Sequence, residues 1–251
     1  MLNEFDHPVL LFFLSVAVLW LSAWFGRAVL RRRSPPDEDA TQDFSVVVGA
    51  ALALVGLIIG FSFSMAVGRY DQRKNLEEAE ANAIGTEYLR ADLVPAADGA
   101  RIRALLNTYV DQRVLFYTTR DRGELALLND RTTKLQGELW DAVKSPAPTP
   151  IGALVVAGMN DVLNSQGYTQ AAWWNRIPTS AWVLMFAIAI GCNALVGYAF
   201  RSSGKHPFLL LVLPVVLSLA ILLIADIDTP RAGFIHVVPQ NLLSLKATMR
   251  P

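Results

Sequence analysis

The chain has 251 residues, enough for a membrane bundle with one further domain or for two soluble domains. Hydrophobic residues make up 53% of it and charged residues 18%, which is less charge than a soluble surface of this size usually carries. The formal net charge of zero provides no basic field for nucleic acid, and the single cysteine, Cys192, excludes an intrachain disulfide framework and a cysteine-based zinc site.

Four apolar runs are long enough for the roughly 20 residues of helix that cross a hydrocarbon core. The first run follows Glu4 and Asp6 and precedes three arginines, which favours a true span over a cleaved signal peptide. The predicted membrane spans are residues 8–30, 44–67, 181–200 and 207–224.

The second span continues into a polar stretch without a helix-breaking signal. Between Phe44 and Pro95 there is no proline and no loop-like cluster of small polar residues. We therefore predict one helix of about 50 residues, on the order of 75 Å long at the usual rise per residue.

The long segment between the second and third spans is predicted to be helical. From Arg101 onward its apolar residues recur at intervals of three and four. We expect a turn at 120–123 with Gly123 as the breaker, a helix over 130–143, a loop at 145–150, and a buried apolar segment at 151–159. The predicted organisation is two spans in 1–68, an extramembrane domain in 69–179, two spans in 180–227 and a tail in 228–251.

Small residues form a stripe along the second span that turns polar beyond it. Such a stripe is typical of a helix-packing face, which is the better interpretation of the stripe alone, and it also suits the wall of a pore. Phe61, beside the stripe, is suited to gating by dewetting or to ordinary packing. The stripe consists of Gly49, Ala53, Gly56, Gly60, Ser64 and Gly68, continued by Asp71, Asn75 and Asn82.

Charged and aromatic residues near the spans have plain structural interpretations. The acidic residues beyond the second span predict a solvated, salt-bridged helix face, with an acidic ring in an oligomer as the alternative. Asp226 and Asp228 are expected to cap a helix end and anchor the tail, and Asn193 to bond a neighbouring helix. The acidic residues are Glu77, Glu78, Glu80 and Glu87, and the tryptophans of a predicted interfacial belt are Trp173, Trp174 and Trp182.

The sequence contains no signature of an enzyme. There is no HExxH, no glycine-rich phosphate loop and no GxSxG, and the three histidines lie far apart. We therefore expect a protein without catalytic activity, cofactor or metal site.

Three segments resemble recurrent sequences of the bestrophin-like family of bacterial membrane proteins. They are the run from GFSFSM at residues 60–65 to Pro95, NRIP at 175–178, and DIDTPRAGFIHV at 226–237. The resemblance implies an all-α fold of four transmembrane helices, with a helical extramembrane domain between the second and third. It also implies a multi-pass protein of the bacterial inner membrane that forms homo-oligomers.

Bestrophins are pentameric anion channels in which the second helix lines the pore. That analogy makes Gly56, Gly60, Phe61 and Ser64 candidates for the pore or gate, and the stripe adds Asp71 and Asn75 beyond the bilayer. The alternative function is a membrane-anchored sensor or scaffold whose helical domain binds a partner, which the lack of strong charges within the spans favours.

The sequence leaves two orientations open. Basic residues at 31–33, 201 and 205 place the short loops in the cytoplasm and the large domain outside. The bestrophin resemblance implies the reverse, with the large domain in the cytoplasm.

Overall fold

A computed structural model describes residues 8–30, 40–144, 149–200 and 208–249, and these ranges are helical with short connections. The predicted all-α class is confirmed. The sequence predicts a short loop at 31–43, of which positions 31–39 lie outside the described residues, while positions 40–43 are helical and the predicted end of this loop is wrong. Positions 145–148 of the predicted loop at 145–150 and the predicted turn at 201–206 also lie outside the described residues. In chain order the helices are α1 (Pro8–Phe25, continued by a π-helical turn Gly26–Leu30), α2 (Ala40–Arg90, continued by a 3-10 turn Ala91–Leu93), α3 (Ala96–Thr118), α4 (Arg122–Lys144), α5 (Pro150–Trp174), α6 (Thr179–Ala199), α7 (Leu209–Asp228) and α8 (Gln240–Thr248).

The chain divides into two compact units, which consist of Met1–Gly68 with Arg176–Ile235 and of Arg69–Asn175 with His236–Pro251. The first unit contains α1, α6, α7 and the first part of α2. The second contains the rest of α2 with α3, α4, α5 and α8. The predicted uninterrupted second helix is confirmed, because α2 runs for 51 residues.

In the first unit, α1 packs against both α6 and α7. A Cβ atom at Gly197 of α6 would overlap the Ala23 carbonyl, and one at Gly26 would overlap the Ala194 carbonyl. Glycine at these two positions lets the backbones of α1 and α6 come into direct contact, which is the usual way in which helices pack in lipid.

The helices of the first unit differ in how much of their apolar surface the chain itself covers. In the most apolar 18-residue stretch of each span, the share of residues buried by the chain is 28% in α1, 33% in α6 and 50% in α7. In α2 it is only 6%. The covered side of α2 is narrow: Val55 joins Leu19, Ala189 and Leu217 in a small core. Most of the α2 surface in this unit therefore lies outside the packed bundle.

In the second unit, α3 packs against α4 and α8, and α4 packs against α5. The turn between α3 and α4 covers residues 119–121 and is shorter than predicted, so Gly123 is inside α4 and the prediction that it breaks the helix is wrong. The Asp121 carboxylate accepts the Glu124 N–H at 2.8 Å, and this cap starts α4 eight residues before the predicted position 130.

Helix α5 begins inside the predicted loop, at Pro150. Proline is tolerated in the first turn of a helix because its missing N–H has no intrahelical partner there. The Thr149 hydroxyl caps this end by accepting the Gly152 N–H at 2.9 Å. The expectation that 151–159 is buried holds for Val155 and Met159, whereas Ile151 is 50% exposed.

The expected aromatic belt is wrong for Trp173. Its ring is buried in the core of the second unit, with edge-to-face contacts to Phe116 and Tyr117 at centroid distances of 5.1 and 5.5 Å. Trp174, the next residue, is exposed.

Candidate functional site

The candidate pore residues of the first unit all lie on the uncovered surface of α2. Gly56, Gly60 and Ser64 are exposed, and the Phe61 side chain is 66% exposed. Each position is thus open to whatever covers α2 in the membrane, either lipid, water or another chain.

The glycines of α2 differ from those that pack α1 against α6. Among the described residues, and apart from the adjacent residues and backbone of α2 itself, no atom lies within 4 Å of a Cβ built at Gly49, Gly56, Gly60 or Gly68. Contacts within the chain therefore give no reason for small residues at these four positions. A glycine in a helix interior costs roughly 0.5–1 kcal/mol relative to alanine, so a role outside the single chain is the natural explanation.

In the second unit, α2 has one solvated face and one buried face. Asp71 and Asn75, the remaining site candidates, are both exposed. The expectation that the acidic residues form a solvated face holds for Glu78 but is wrong for three others, since Glu77, Glu80 and Glu87 are at most 1% exposed.

Glu80 is the centre of a buried polar cluster that joins three helices. Arg113 of α3 donates to both of its oxygens: Nε bonds Oε1, and Nη2 lies 3.3 Å from Oε2. The Tyr117 hydroxyl of α3 and the Thr169 hydroxyl of α5 also donate to Oε2, at 3.3 and 3.2 Å. Arg113 additionally stacks over Phe116 at 4.4 Å. This arrangement pairs a charge that would otherwise be unpaired in the core.

The ionisation of this cluster is fixed by burial and by Glu80. Burial and then the Glu80 charge raise the pKa of both Tyr109 and Tyr117 above the usual value for a phenol, so both hydroxyls keep their protons. Burial is the largest single influence on the pKa of Arg113 and lowers it, whereas the charge and hydrogen bond of Glu80, with further contributions from Tyr109 and Tyr117, raise it, and the net shift of the pKa is upward. These shifts keep both phenols neutral and the Arg113 guanidinium charged near neutral pH, and the role of the cluster is structural.

Glu77 binds the start of the C-terminal helix. Its Oε1 accepts the Leu242 N–H at 2.9 Å, and its Oε2 accepts the Asn241 side-chain amide at 2.7 Å. A carboxylate at this end of α8 satisfies a backbone N–H that has no partner within the helix and suits the positive end of the helix dipole.

Two of the segments that carry the family resemblance meet in the first unit. Asp228, which ends α7, accepts the N–H of Ile177 at 3.0 Å and so connects DIDTPR to NRIP. Asp226 accepts the N–H groups of Phe234 and Ile235 at 2.7 and 2.8 Å. A Cβ at Gly233 would overlap the Asp226 carbonyl, so only glycine fits this turn. The predicted anchoring of the tail is confirmed for Asp226, whereas Asp228 holds the segment before α6.

The prediction for Asn193 is wrong. Its side-chain amide donates to the Ala189 carbonyl of the same helix at 2.8 Å rather than to a neighbour. Among the described residues there is no group of three or more His, Cys, Asp or Glu side chains that could hold a metal ion.

Together the helices define an all-α integral membrane protein: the described residues contain four helices long and apolar enough to span a bilayer, and the chain has a second, helical unit. The family profile of the bestrophin-like domain matches residues 13–242, and the chain belongs to the bestrophin-like family. No curated protein matches the sequence.

Solved structures of a bacterial bestrophin homologue from Klebsiella pneumoniae share the fold. One superposes with a TM-score of 0.64 at 14% identity and covers 97% of this chain and 99% of its own. A single-residue variant of the homologue gives 0.65 at 14% identity, covering 94% and 97%. At this identity the likeness concerns the fold alone.

Proposed function

We propose that this protein is a homo-oligomeric ion channel of the bacterial inner membrane, with α2 of each copy around the central pore. The observation that supports the proposal most directly is the open glycine face of α2. A Cβ built at any of four glycines there meets no atom of another described element within 4 Å, unlike a Cβ at Gly26 or Gly197, which would overlap the neighbouring helix. Membership of the bestrophin-like family supports the same arrangement.

The burial pattern supports placing α2, rather than another helix, around the axis. The apolar window of α2 is the least covered of the four spans, with 6% buried. Copies of α2 around an axis cover one another along their flanks, and their small residues leave room for water along the axis. Gly56, Gly60 and Ser64 then line the pore, and Phe61 narrows or gates it by dewetting.

Two features bear on the class of ion that is conducted, and they favour opposite charges. The bestrophin resemblance assigns anions, and we propose anion conduction on that ground. The exposed Asp71 on the same helix, repeated in each copy, forms an acidic ring that attracts cations. Charge selectivity is therefore the property in which an Asp71→Asn variant differs most from the native chain.

The test is ion flux in liposomes that contain purified, inserted oligomer. Replacing chloride and then potassium by large impermeant ions identifies the conducted ion. We expect flux that is lost with one replacement and falls at least tenfold in Gly60→Leu. Gly191→Leu is the matched control, because Gly191 also faces open space but lies on α6, so its flux should stay near the native level.

Cysteine accessibility tests the position of α2 independently of conduction. The native Cys192 is buried and gives a low background. Gly60→Cys and Ser64→Cys should react with a charged, membrane-impermeant thiol reagent, whereas Leu54→Cys, exposed on another side of α2, should not. Equal labelling at all three positions, or no flux from correctly inserted oligomer, contradicts the constitutive channel and favours a membrane-anchored sensor or scaffold.

A further inference from the structure

Glu87 occupies a position in the second unit that differs from those of the other buried glutamates. Its side chain is fully buried on α2, where it faces Gly158 of α5. A Cβ atom at Gly158 would overlap Glu87 Oε2 and Arg90 Nη1. The carboxyl group is therefore packed directly on the backbone of α5.

The carboxyl group lacks the bonds that normally accompany a buried charge. Neither oxygen has a hydrogen-bond partner among the described residues. Arg90, one turn along the same helix and 31% exposed, places Nη1 at 3.8 Å from Oε2, beyond hydrogen-bond distance. By contrast, Glu77 and Glu80 each accept bonds to both oxygens.

Three effects act on the protonation of Glu87. Burial raises its pKa, Arg90 on its own helix lowers it, and the negative charge of Asp161 on α5 raises it again, with a net pKa of about 8. A carboxyl group that is neutral can be buried without a charged partner at far lower cost than a carboxylate.

We propose that Glu87 is a proton-operated latch between α2 and α5: the neutral carboxyl group packs against Gly158 and holds the helices together, and the latch weakens as the proton is lost. The inference concerns the second unit alone and does not depend on conduction. Its ligand is the proton.

The direction of the pH dependence follows from linkage. A carboxyl group freed by separation of the helices has an ordinary pKa near 4.5, and the packed group has one near 8. Between these values the open form loses its proton while the closed form keeps it, so a rise in pH favours opening by up to about tenfold per pH unit. Above about pH 8 both forms are ionised, and the effect levels off.

Amide hydrogen exchange on the full-length protein in lipid nanodiscs tests the latch. We expect the protection of amides around Gly158 in α5, corrected for the intrinsic exchange rate, to fall by up to tenfold per unit between pH 5.5 and 8 and to become flat above that. Glu87→Gln, which is neutral and of the same size, should remove this dependence. Glu78→Gln, exposed on the same helix, should keep it.

Two further variants should shift, in opposite directions, the pH at which amide protection stops falling. Asp161→Asn removes the charge that raises the pKa and should make protection level off at a lower pH. Arg90→Gln removes the charge that lowers the pKa and should extend the fall to a higher pH. If Glu87→Gln fails to fold, these two variants still test whether Glu87 controls the pH dependence. Protection in the native chain that is independent of pH, or the same pH profile in Asp161→Asn and Arg90→Gln, overturns the proposal.

Discussion

Removing the Glu80 carboxylate should destabilise the second unit more than any other substitution of an acidic residue on α2. In Glu80→Ala, Arg113 stays fully buried and loses its acidic partner, while the hydroxyls of Tyr117 and Thr169 lose their acceptor. An unpaired buried charge costs about 3–5 kcal/mol, and each unpaired hydroxyl adds on the order of 1 kcal/mol.

The assay is thermal unfolding of the purified protein in detergent. For a chain of this size, the combined loss of about 5–7 kcal/mol corresponds to a fall in melting temperature of about 10–28 °C. Glu78→Ala is the matched control, because that side chain is exposed and its loss should change stability by no more than about 0.5 kcal/mol.

A double variant separates charge from packing. Replacing both Glu80 and Arg113 by methionine removes the pair without leaving a charge unpaired, and it should restore most of the lost stability. The argument from the unpaired guanidinium is wrong if the double variant is as unstable as Glu80→Ala. It is also wrong if Glu80→Ala and Glu78→Ala have the same melting temperature.

Three further predictions follow from individual contacts. Gly197→Ala should lower the melting temperature by an overpacking cost of roughly 1–3 kcal/mol, whereas Gly191→Ala on the same helix should be neutral or slightly stabilising. Glu77→Ala should cost about 1 kcal/mol and speed amide exchange in α8, which Glu78→Ala leaves unchanged. Because the pKa of Glu87 is raised to about 8, unfolding monitored across pH should show stability falling from about pH 4.5 to 8, and Glu87→Gln should remove this contribution.

Each of these predictions has a result that contradicts it. Equal melting temperatures for Gly197→Ala and Gly191→Ala would mean that α1 can shift away from α6 without loss. Unchanged exchange of α8 in Glu77→Ala would mean that other contacts hold this helix. A Glu87→Gln variant with the native pH profile would assign the titration to another group.

The spans and the long second helix could be predicted because they depend on local properties of the sequence. An apolar run of sufficient length and the absence of proline before Pro95 are visible in a single segment, and α2 follows both. The predicted positions at which helices begin are less accurate. Asp121 and Thr149 are capping residues within stretches that we interpreted as a turn and a loop.

The buried charges could not be assigned from the sequence because their partners are distant in it. Glu80 and Arg113 are 33 residues apart, and Glu77 is 165 residues from the Leu242 N–H that it accepts. One signal was available: Glu77, Glu80 and Glu87 share a helix face with the buried Ile84, at spacings of three and four. Glu78, which is exposed, lies off that face.

The candidate pore face is predicted by sequence and remains open in the structure of one chain. All six candidates, from Gly56 to Asn75, are exposed on α2. What covers them is a property of the assembly, because the contacts of a single chain end at its own surface. Association and conduction therefore stay predictions, which the flux and labelling experiments address.

The convergence of four donor atoms on Glu80 constrains how this protein can diverge. A single change at Glu80 or Arg113 passes through an intermediate with an unpaired buried ion, which selection removes when the stability margin is a few kcal/mol. Descendants of this sequence should therefore keep both residues or exchange both together. The two positions should change as a pair across related genomes, while the exposed position of Glu78 drifts freely.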